Sequence, residues 1–351
     1  MSSKRETVRQ TTRLDSLMLA KSNKRDEFYT KLEDIEAEVF HYSKHFRNKT
    51  VYLNCDDPRY SNFFRFFVNE FYTLGLKAVI ASGLDQSVQR DNAQPLTNGV
   101  WAEYIGKEDC PESLLPGKAV LRRLTDTGDF RGLASRHLLD RADIVVTNPP
   151  FSLFHEYFSL LIESQKSFLI LGNMNAVTYP EVFPRFKDGT VWYGCSIHSG
   201  DREFLVPSNY PLEAAGCRVD ESGNRFIRVK GVRWFTNMRP DVTVPFMTLK
   251  QSFHAYRYPE YANYSAIEVG RTANIPADYY GEMGVPISFL DHYNPNQFEI
   301  VGSSNTLARP MKDIADPGTY QTGGPRFYLQ CEDGSYRRMY ERIVIKRRQD
   351  N

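Results

Sequence analysis

Four consecutive residues, Asn148-Pro149-Pro150-Phe151, carry the most specific chemistry in this chain. Proline has no N–H, so Pro149 and Pro150 offer only carbonyl acceptors. A residue that precedes proline is pushed out of the helical region, so Asn148 and Pro149 are both expected to be extended. The Asn148 side-chain oxygen is a further acceptor. Two acceptors on a stiff frame suit a substrate that presents an NH₂ group, and Phe151 adds a flat face beside them. An exocyclic amine on a planar base meets that description. The plainer reading is a strand-terminating turn, because Pro-Pro often ends strands.

The elements around the tetrapeptide decide between these readings. Asp143-Ile144-Val145-Val146-Thr147 is an apolar run that reads as a buried strand ending at Asn148. In open α/β sheets, ligands bind just outside the carboxyl ends of such strands. Upstream, Thr50–Cys55 and Lys77–Ser82 read as strands joined by a turn over Asp56–Asn62 and a helix. That helix carries Phe63, Phe64, Phe67, Val68, Phe71 and Tyr72, which read as core rather than as a ligand site. Strand, helix, strand of this length is a right-handed βαβ unit. Before it, Phe28, Leu32, Ile35, Val39, Tyr42 and Phe46 form an amphipathic stripe. His41 and His45 lie four apart there, but no third metal ligand is evident. Residues 83–119 read as a polar excursion, followed by a strand at Ala119–Leu121. Ser152 is the expected N-cap of a helix bearing Phe154, Tyr157, Phe158 and Leu161. Ser167–Gly172, Val191–Gly194 and Arg233–Asn237 complete the strands. Strands alternating with helices predict a doubly wound α/β domain.

Bulk properties narrow the class. The chain has 351 residues, 41% hydrophobic and 25% charged, as in soluble globular proteins with room for two domains. No apolar run is long enough to cross a membrane, and the amino-terminal stretch lacks a secretory apolar segment. Five scattered cysteines without a CxxC pair suggest neither zinc nor a disulfide framework, which fits a cytoplasmic location. The net charge of +1 does not announce a nucleic-acid binder, but its distribution is uneven. Residues 1–25 carry seven basic side chains against two acidic ones, and 337–348 carry six basic side chains against Glu341. Such patches neutralise phosphates or merely solvate a tail and a strand face. Residues 1–22 read as a flexible basic arm and 23–240 as the catalytic domain. Residues 241–351, rich in Tyr, Pro, Asn and Gly, read as a separate region. Within it, Phe253, His254, Tyr256, Arg257, Tyr258, Tyr261 and Tyr264 form either a nucleic-acid surface or loop packing on a small β core.

Taken together, several segments resemble the EcoRI-type adenine-specific DNA methyltransferases. They are Lys24–Thr30, Asn54–Arg59, Gly128–Arg131, Asp143–Phe154, Trp234–Asn237 and Met283–Leu290. The resemblance spans about residues 20–350. It implies a Rossmann-like, S-adenosylmethionine-dependent methyltransferase domain with the NPPF tetrapeptide as catalytic motif. It also implies extrusion of the target adenine from the duplex. By the same resemblance, Tyr29, Thr30, Asn54, Asp56 and Asp57 are donor-binding candidates. Which of Asp56 and Asp57 meets the donor stays open. Asp129 and Phe130 resemble the pair that reads the donor's adenine. The second strand ends in Ala81-Ser82-Gly83 without the acid usual for the donor's ribose. The motif order places target recognition mainly in 241–351, with loops from 173–232 as a second source of base contacts, and Arg337, Arg338, Arg347 and Arg348 against phosphates. The implied partners are double-stranded DNA and a cognate restriction endonuclease, and the implied state is a monomer without a membrane partner. The alternatives are a methyltransferase for RNA or a protein glutamine, and a non-catalytic DNA-binding protein of the same fold.

Overall fold

The structure is a computed structural model that describes residues 29–85, 99–106, 115–198, 200–206, 216–241 and 244–349. The expected arm, 1–22, lies outside the described residues. The chain forms two compact units. One takes the described residues up to Asn173 together with Gly194–Asp241; the other takes Met174–Tyr193 and the described residues after Asp241.

The first unit is built on β1 (Thr50–Asn54), β2 (Ala78–Gly83), β3 (Val100–Tyr104), β4 (Arg122–Arg123), β5 (Ile144–Thr147) and β6 (Ser167–Asn173). Three longer strands follow the short β7 (Trp192–Tyr193) and belong to this unit: β8 (Asp201–Val206), β10 (Arg225–Lys230) and β11 (Val232–Thr236), with β9 (Arg218–Val219) between. Its main sheet runs β4-β3-β2-β1-β5-β6-β11. The centre is parallel: Thr50 pairs with Ala78, Val51 with Ile144, and Ile144 with Ser167. Antiparallel strands flank it, β3 on β2 and β11 on β6. Every residue of β1, β2 and β5 is buried, so these strands read as continuous apolar runs rather than alternating ones. The chain leaves β1 for β2 on one side and later returns to β5 on the other. The gap between β1 and β5 is therefore the topological switch point, where α/β sheets bind ligands.

Among the described residues, four helices of eight or more residues frame the sheet: α1 (Leu32–Val39), α2 (Asn62–Asn69), α3 (Leu133–Arg141) and α4 (Phe154–Glu163). Ser61 caps α2, its hydroxyl accepting from Phe64 N at 3.1 Å. Behind that cap Phe63, Phe64, Phe66, Phe67 and Val68 are buried, with Phe63 edge-on to Trp234 at 6.1 Å. Phe63, Phe64, Phe67 and Phe71 are core, as expected, but Tyr72, read with them, is exposed because the helix ends at Asn69.

Three local expectations need correction. The strand expected at Ala119–Leu121 lies one step later, at β4, because Pro116 and Gly117 (φ +63°) wind a tight turn first. The excursion over 83–119 contains β3, whose Val100, Ala102 and Tyr104 point inward between the less buried Trp101 and Glu103. Ser152 does not cap α4: Phe151–Leu153 forms a 3₁₀ turn closed by Leu153 N on Pro150 O at 2.9 Å, and α4 begins after it. The proline-stiffened exit from β5 uses up the residues that a side-chain cap would need.

The second unit has β12 (Glu260–Tyr261), β13 (Tyr264–Glu268), β14 (Met283–Pro286), β15 (Phe298–Ser303), β16 (Tyr328–Gln330), β17 (Tyr336–Arg338) and β18 (Arg342–Arg347). Its sheet runs β12-β13-β14-β18-β15, and β16 pairs with β17 alone. Phe327 is buried, with the rings of Tyr261 at 4.5 Å and Tyr264 at 5.1 Å stacked on it. The aromatic run 253–264 therefore divides: Tyr258 and Tyr261 are buried, whereas His254, Tyr256 and Arg257 are exposed. Among the described residues no helix is long and apolar enough to cross a membrane.

Candidate active site

The loop after β1 is built from hydrogen-bonding residues that hold one another. Asn54 is buried, and its Oδ1 accepts from Cys55 N at 3.0 Å. Cys55 itself takes φ +72°, a left-handed conformation that side chains rarely adopt. Asp56 N donates to Ser82 O at 2.8 Å, tying the loop to the end of β2. Asp57 and Asp56 then part company. Asp57 is buried, and Arg59 clamps it with Nε and Nη2 at 2.9 and 2.6 Å. The same Nη2 reaches Asp85 at 2.6 Å, and Arg123 closes on Asp85 at 3.0 Å. Hydrogen bonds to Asp57, and then to Asp85, hold the Arg59 guanidinium charged well above its ordinary range. Asp56 receives hydroxyls instead, from Ser61 at 2.8 Å and from Thr147 at 2.6 Å. Asp85, two residues past Gly83 at the end of β2, is held by Arg59 and Arg123 together.

The tetrapeptide leaves β5 beside this loop. Pro149 is buried; Asn148, Pro150 and Phe151 are half-buried. The hydroxyl of Thr147, immediately before it, also lies against Asn54 O. Phe151 packs edge-on against Phe204 of β8 at 6.5 Å. The next residue, Leu205, exchanges backbone hydrogen bonds with Tyr29 at 2.9 and 3.2 Å. Thr30 O in turn accepts from Asn62 Nδ2 at 2.8 Å. The segment 29–30, the loop 54–62 and the tetrapeptide therefore meet around the carboxyl ends of β1 and β5.

Asp129 and Phe130 reach the same end of the sheet through a glycine junction. A Cβ on Gly128 (φ +80°) would lie 2.4 Å from Gly83 O, and one on Gly99 would lie 2.5 Å from the Gly128 Cα. Only glycine permits these backbones to approach so closely. Asp129 is clamped by Arg131 at 2.9 and 2.7 Å, and Arg131 also reaches Glu156 of α4 at 2.9 Å. Phe130 is buried, edge-on to Tyr157 of α4 at 4.9 Å. Burial holds the Tyr157 phenol well above its ordinary range.

Among the described residues, Asn54 Nδ2, Thr30 Oγ1 and Tyr157 OH are buried without a hydrogen-bond partner. A buried polar atom left unsatisfied costs about 1–3 kcal/mol. Asn54 and Thr30 lie where a ligand would meet them, so the site fits a polar ligand with several hydrogen-bonding groups.

A second carboxylate organises the back of this unit. Glu38 of α1 is buried and accepts from Tyr42 OH, Cys195 N and Ser196 N at 2.9, 2.8 and 2.7 Å. His45 meets Arg239 O at 2.8 Å, and no group of metal ligands occurs among the described residues.

The basic segment of the second unit splits by position. Arg337 and Arg348 are exposed; Arg338 donates to Gly324 O at 3.0 Å and Arg347 lies over the Tyr280 ring at 5.0 Å. Arg342, by contrast, is buried against Glu268 at 2.7 and 3.0 Å, and Lys346 pairs with Glu282 at 3.0 Å. Sequence reasoning passed over Thr147, Arg59 and Asp85. Thr147 adjoins the tetrapeptide and Asp85 follows Gly83 closely, but nothing local shows what either side chain touches.

A mixed sheet with a parallel centre, helices around it and a polar loop at the switch point define a Rossmann-like methyltransferase fold. The family described as "Adenine-specific methyltransferase EcoRI" matches residues 16–348, and the chain belongs to it. Type II methyltransferase M.EcoRI of Escherichia coli is 44% identical over 287 residues, covering 80% of this chain and 87% of the relative. Type II methyltransferase M.MpnI of Mycoplasma pneumoniae is 37% identical over 340 residues, covering 94% and 98%. A Mycoplasma genitalium relative, Type II methyltransferase M.MgeORF184P, is 35% identical over 339 residues. No solved structure matches the chain.

Proposed function

We propose that this protein is a site-specific DNA methyltransferase that moves a methyl group from S-adenosylmethionine to the N6 amine of an adenine flipped out of duplex DNA. One observation carries the reading: the acceptor loop 148–151 leaves β5 next to the polar loop 54–62, across the switch point of a methyltransferase fold. Asn54, Asp56 and Thr30 hold the donor there, and Asp129 accepts from the donor's adenine amine. The donor, when bound, supplies an electrophilic methyl on a positively charged sulfur.

The residues of this chain do the rest. The adenine amine is a poor nucleophile because its lone pair is delocalised into the ring. The Asn148 side-chain oxygen and the Pro149 carbonyl accept its two hydrogens and favour a pyramidal nitrogen with the lone pair aimed at the methyl carbon. The bound donor would supply the methyl and leave as a neutral thioether, and the methylated amine, held by Asn148 and Pro149, would release its surplus proton to solvent. Positioning and electrostatics supply the acceleration. Phe151 stacks on the extruded base, a contact worth about 1–3 kcal/mol. The second unit carries target recognition, with Arg337, Arg338, Arg347 and Arg348 against phosphates. The name "Type II" borne by the relatives supports a partner endonuclease acting on the same site.

Labelled S-adenosylmethionine offered with duplex DNA, RNA or protein tests this directly. Label recovered as N6-methyladenine in DNA is expected. Label in RNA or protein alone, or none in any, refutes the reading.

A further inference from the structure

Thr147 is fully buried at the last position of β5, and its Oγ1 faces two oxygens, one at the end of β1 and one in the loop after it. One is the Asn54 carbonyl; the other is Asp56 Oδ2 at 2.6 Å. A hydroxyl has one hydrogen, so it satisfies only one of two acceptors at a time. The other oxygen then faces lone pairs. The other oxygen of Asp56 receives Ser61, which caps α2. The contacts thus run from the residue beside Asn148, through Asp56, to the start of α2.

We propose that Thr147 is a positioning residue that links the two halves of the site: it sets the Asp56 carboxylate for the donor's cationic groups and fixes the register of Asn148 against that carboxylate. This rests on the reading of 54–62 as the donor loop and 148–151 as the catalytic loop. Binding of the cationic donor and placement of the acceptor pair then share one hydroxyl. Loss of that hydroxyl harms donor affinity and the transfer step together while leaving DNA affinity alone.

Thr147→Ser and Thr147→Ala provide the test, because both remove the methyl group and only alanine removes the hydroxyl. Donor Kd, DNA Kd and the single-turnover rate are measured on each, with melting temperature as the control for folding. The alanine variant is expected to lose about tenfold or more in both donor affinity and rate relative to the serine variant, the range for a hydrogen bond to a charged group. DNA Kd stays the same in both. Thr147→Val, which keeps the side-chain volume, gives the same answer if the smaller side chains destabilise the fold. Equal donor affinity and equal rates in folded serine and alanine variants overturn the link. The underlying reading fails separately: if it is wrong, Asn148→Ala keeps its turnover; if only the link is wrong, Asn148→Ala is inactive while serine and alanine at 147 match.

Discussion

Arg59 grips Asp57 with two nitrogens, Nε on Oδ1 at 2.9 Å and Nη2 on Oδ2 at 2.6 Å, while its neighbour Asp56 accepts from the hydroxyls of Ser61 and Thr147. The adjacent acids therefore have different work. The Asp57 side chain is 0% exposed and that of Asp85 1%. Asp57→Ala leaves Arg59 and Asp85 mismatched in the interior, and breaking a buried pair costs about 3–5 kcal/mol. Thermal unfolding should show a melting temperature lower by on the order of 10 °C. Asp56→Ala should melt close to the wild type yet bind donor at least about tenfold more weakly. The reverse pattern would reassign the two residues.

Asn148→Ala should abolish methyl transfer and leave donor affinity nearly intact. The side chain is assigned to the incoming amine, whose chemistry follows donor binding. Donor binding by calorimetry and turnover on duplex DNA separate the two; near-normal turnover removes Asn148 from catalysis.

Asp129→Ala should weaken donor binding by about tenfold, the range for a charge-assisted hydrogen bond, with DNA affinity unchanged. The Asp129–Arg131 pair is partly exposed, with side chains 27% and 47% accessible, so stability should change little. Equal losses for donor and DNA would take Asp129 out of the donor site.

Basic residues that look alike in sequence should separate in experiment. Arg337→Ala, at an exposed position on β17, should weaken DNA binding and reduce the slope of log affinity against log salt by about 1. Arg342→Ala should act on stability instead, because it leaves Glu268 buried without its bidentate partner. Salt titrations and melting curves on both variants check the division.

Burial, reinforced by the Glu38 carboxylate, pushes the Cys195 thiol up to about 11. An unfolded cysteine titrates near ~8.5. Between these values the unfolded chain has lost a proton that the folded chain keeps, so stability falls as pH rises. The contribution is complete below about 8.5 and is lost as pH climbs through 11. Alkylation followed peptide by peptide should show Cys195 reacting half-maximally near that upper value, and Cys195→Ala should flatten the stability profile across the window. Reaction at the rate of an ordinary thiol near pH 8.5 would contradict the assignment.

Much of the candidate site's local geometry is legible in the sequence, because its signals are local. Proline chemistry marks Asn148–Phe151 as a rigid acceptor loop wherever the chain carries it. The apolar run before it and the βαβ spacing of 50–82 place that loop at a strand end. Helical periodicity marks Phe63, Phe64 and Phe67 as core, and they are buried. By itself the sequence also determined the family, through motifs spread over most of the chain.

Other features depend on residues far apart in sequence, and only the tertiary structure decided them. Asp56 and Asp57 are indistinguishable until Arg59 brings Asp85 against Asp57, twenty-eight positions along the chain. Gly83, Gly99 and Gly128 look like ordinary turn residues until their backbones press together. The change of composition after Pro240 gives no hint that Met174–Tyr193 joins the second unit. Arg342 stands in a basic run, yet Glu268 claims it in the core. Thr147 is the sharpest case: in sequence it is the last residue of a strand, and in the fold its one hydrogen faces two oxygens, one at the end of β1 and one in the loop after it. Periodicity and turn chemistry act within a few residues and can be read along the chain. A partner for a buried charge or hydroxyl is set by packing, and packing exists only once the chain has folded.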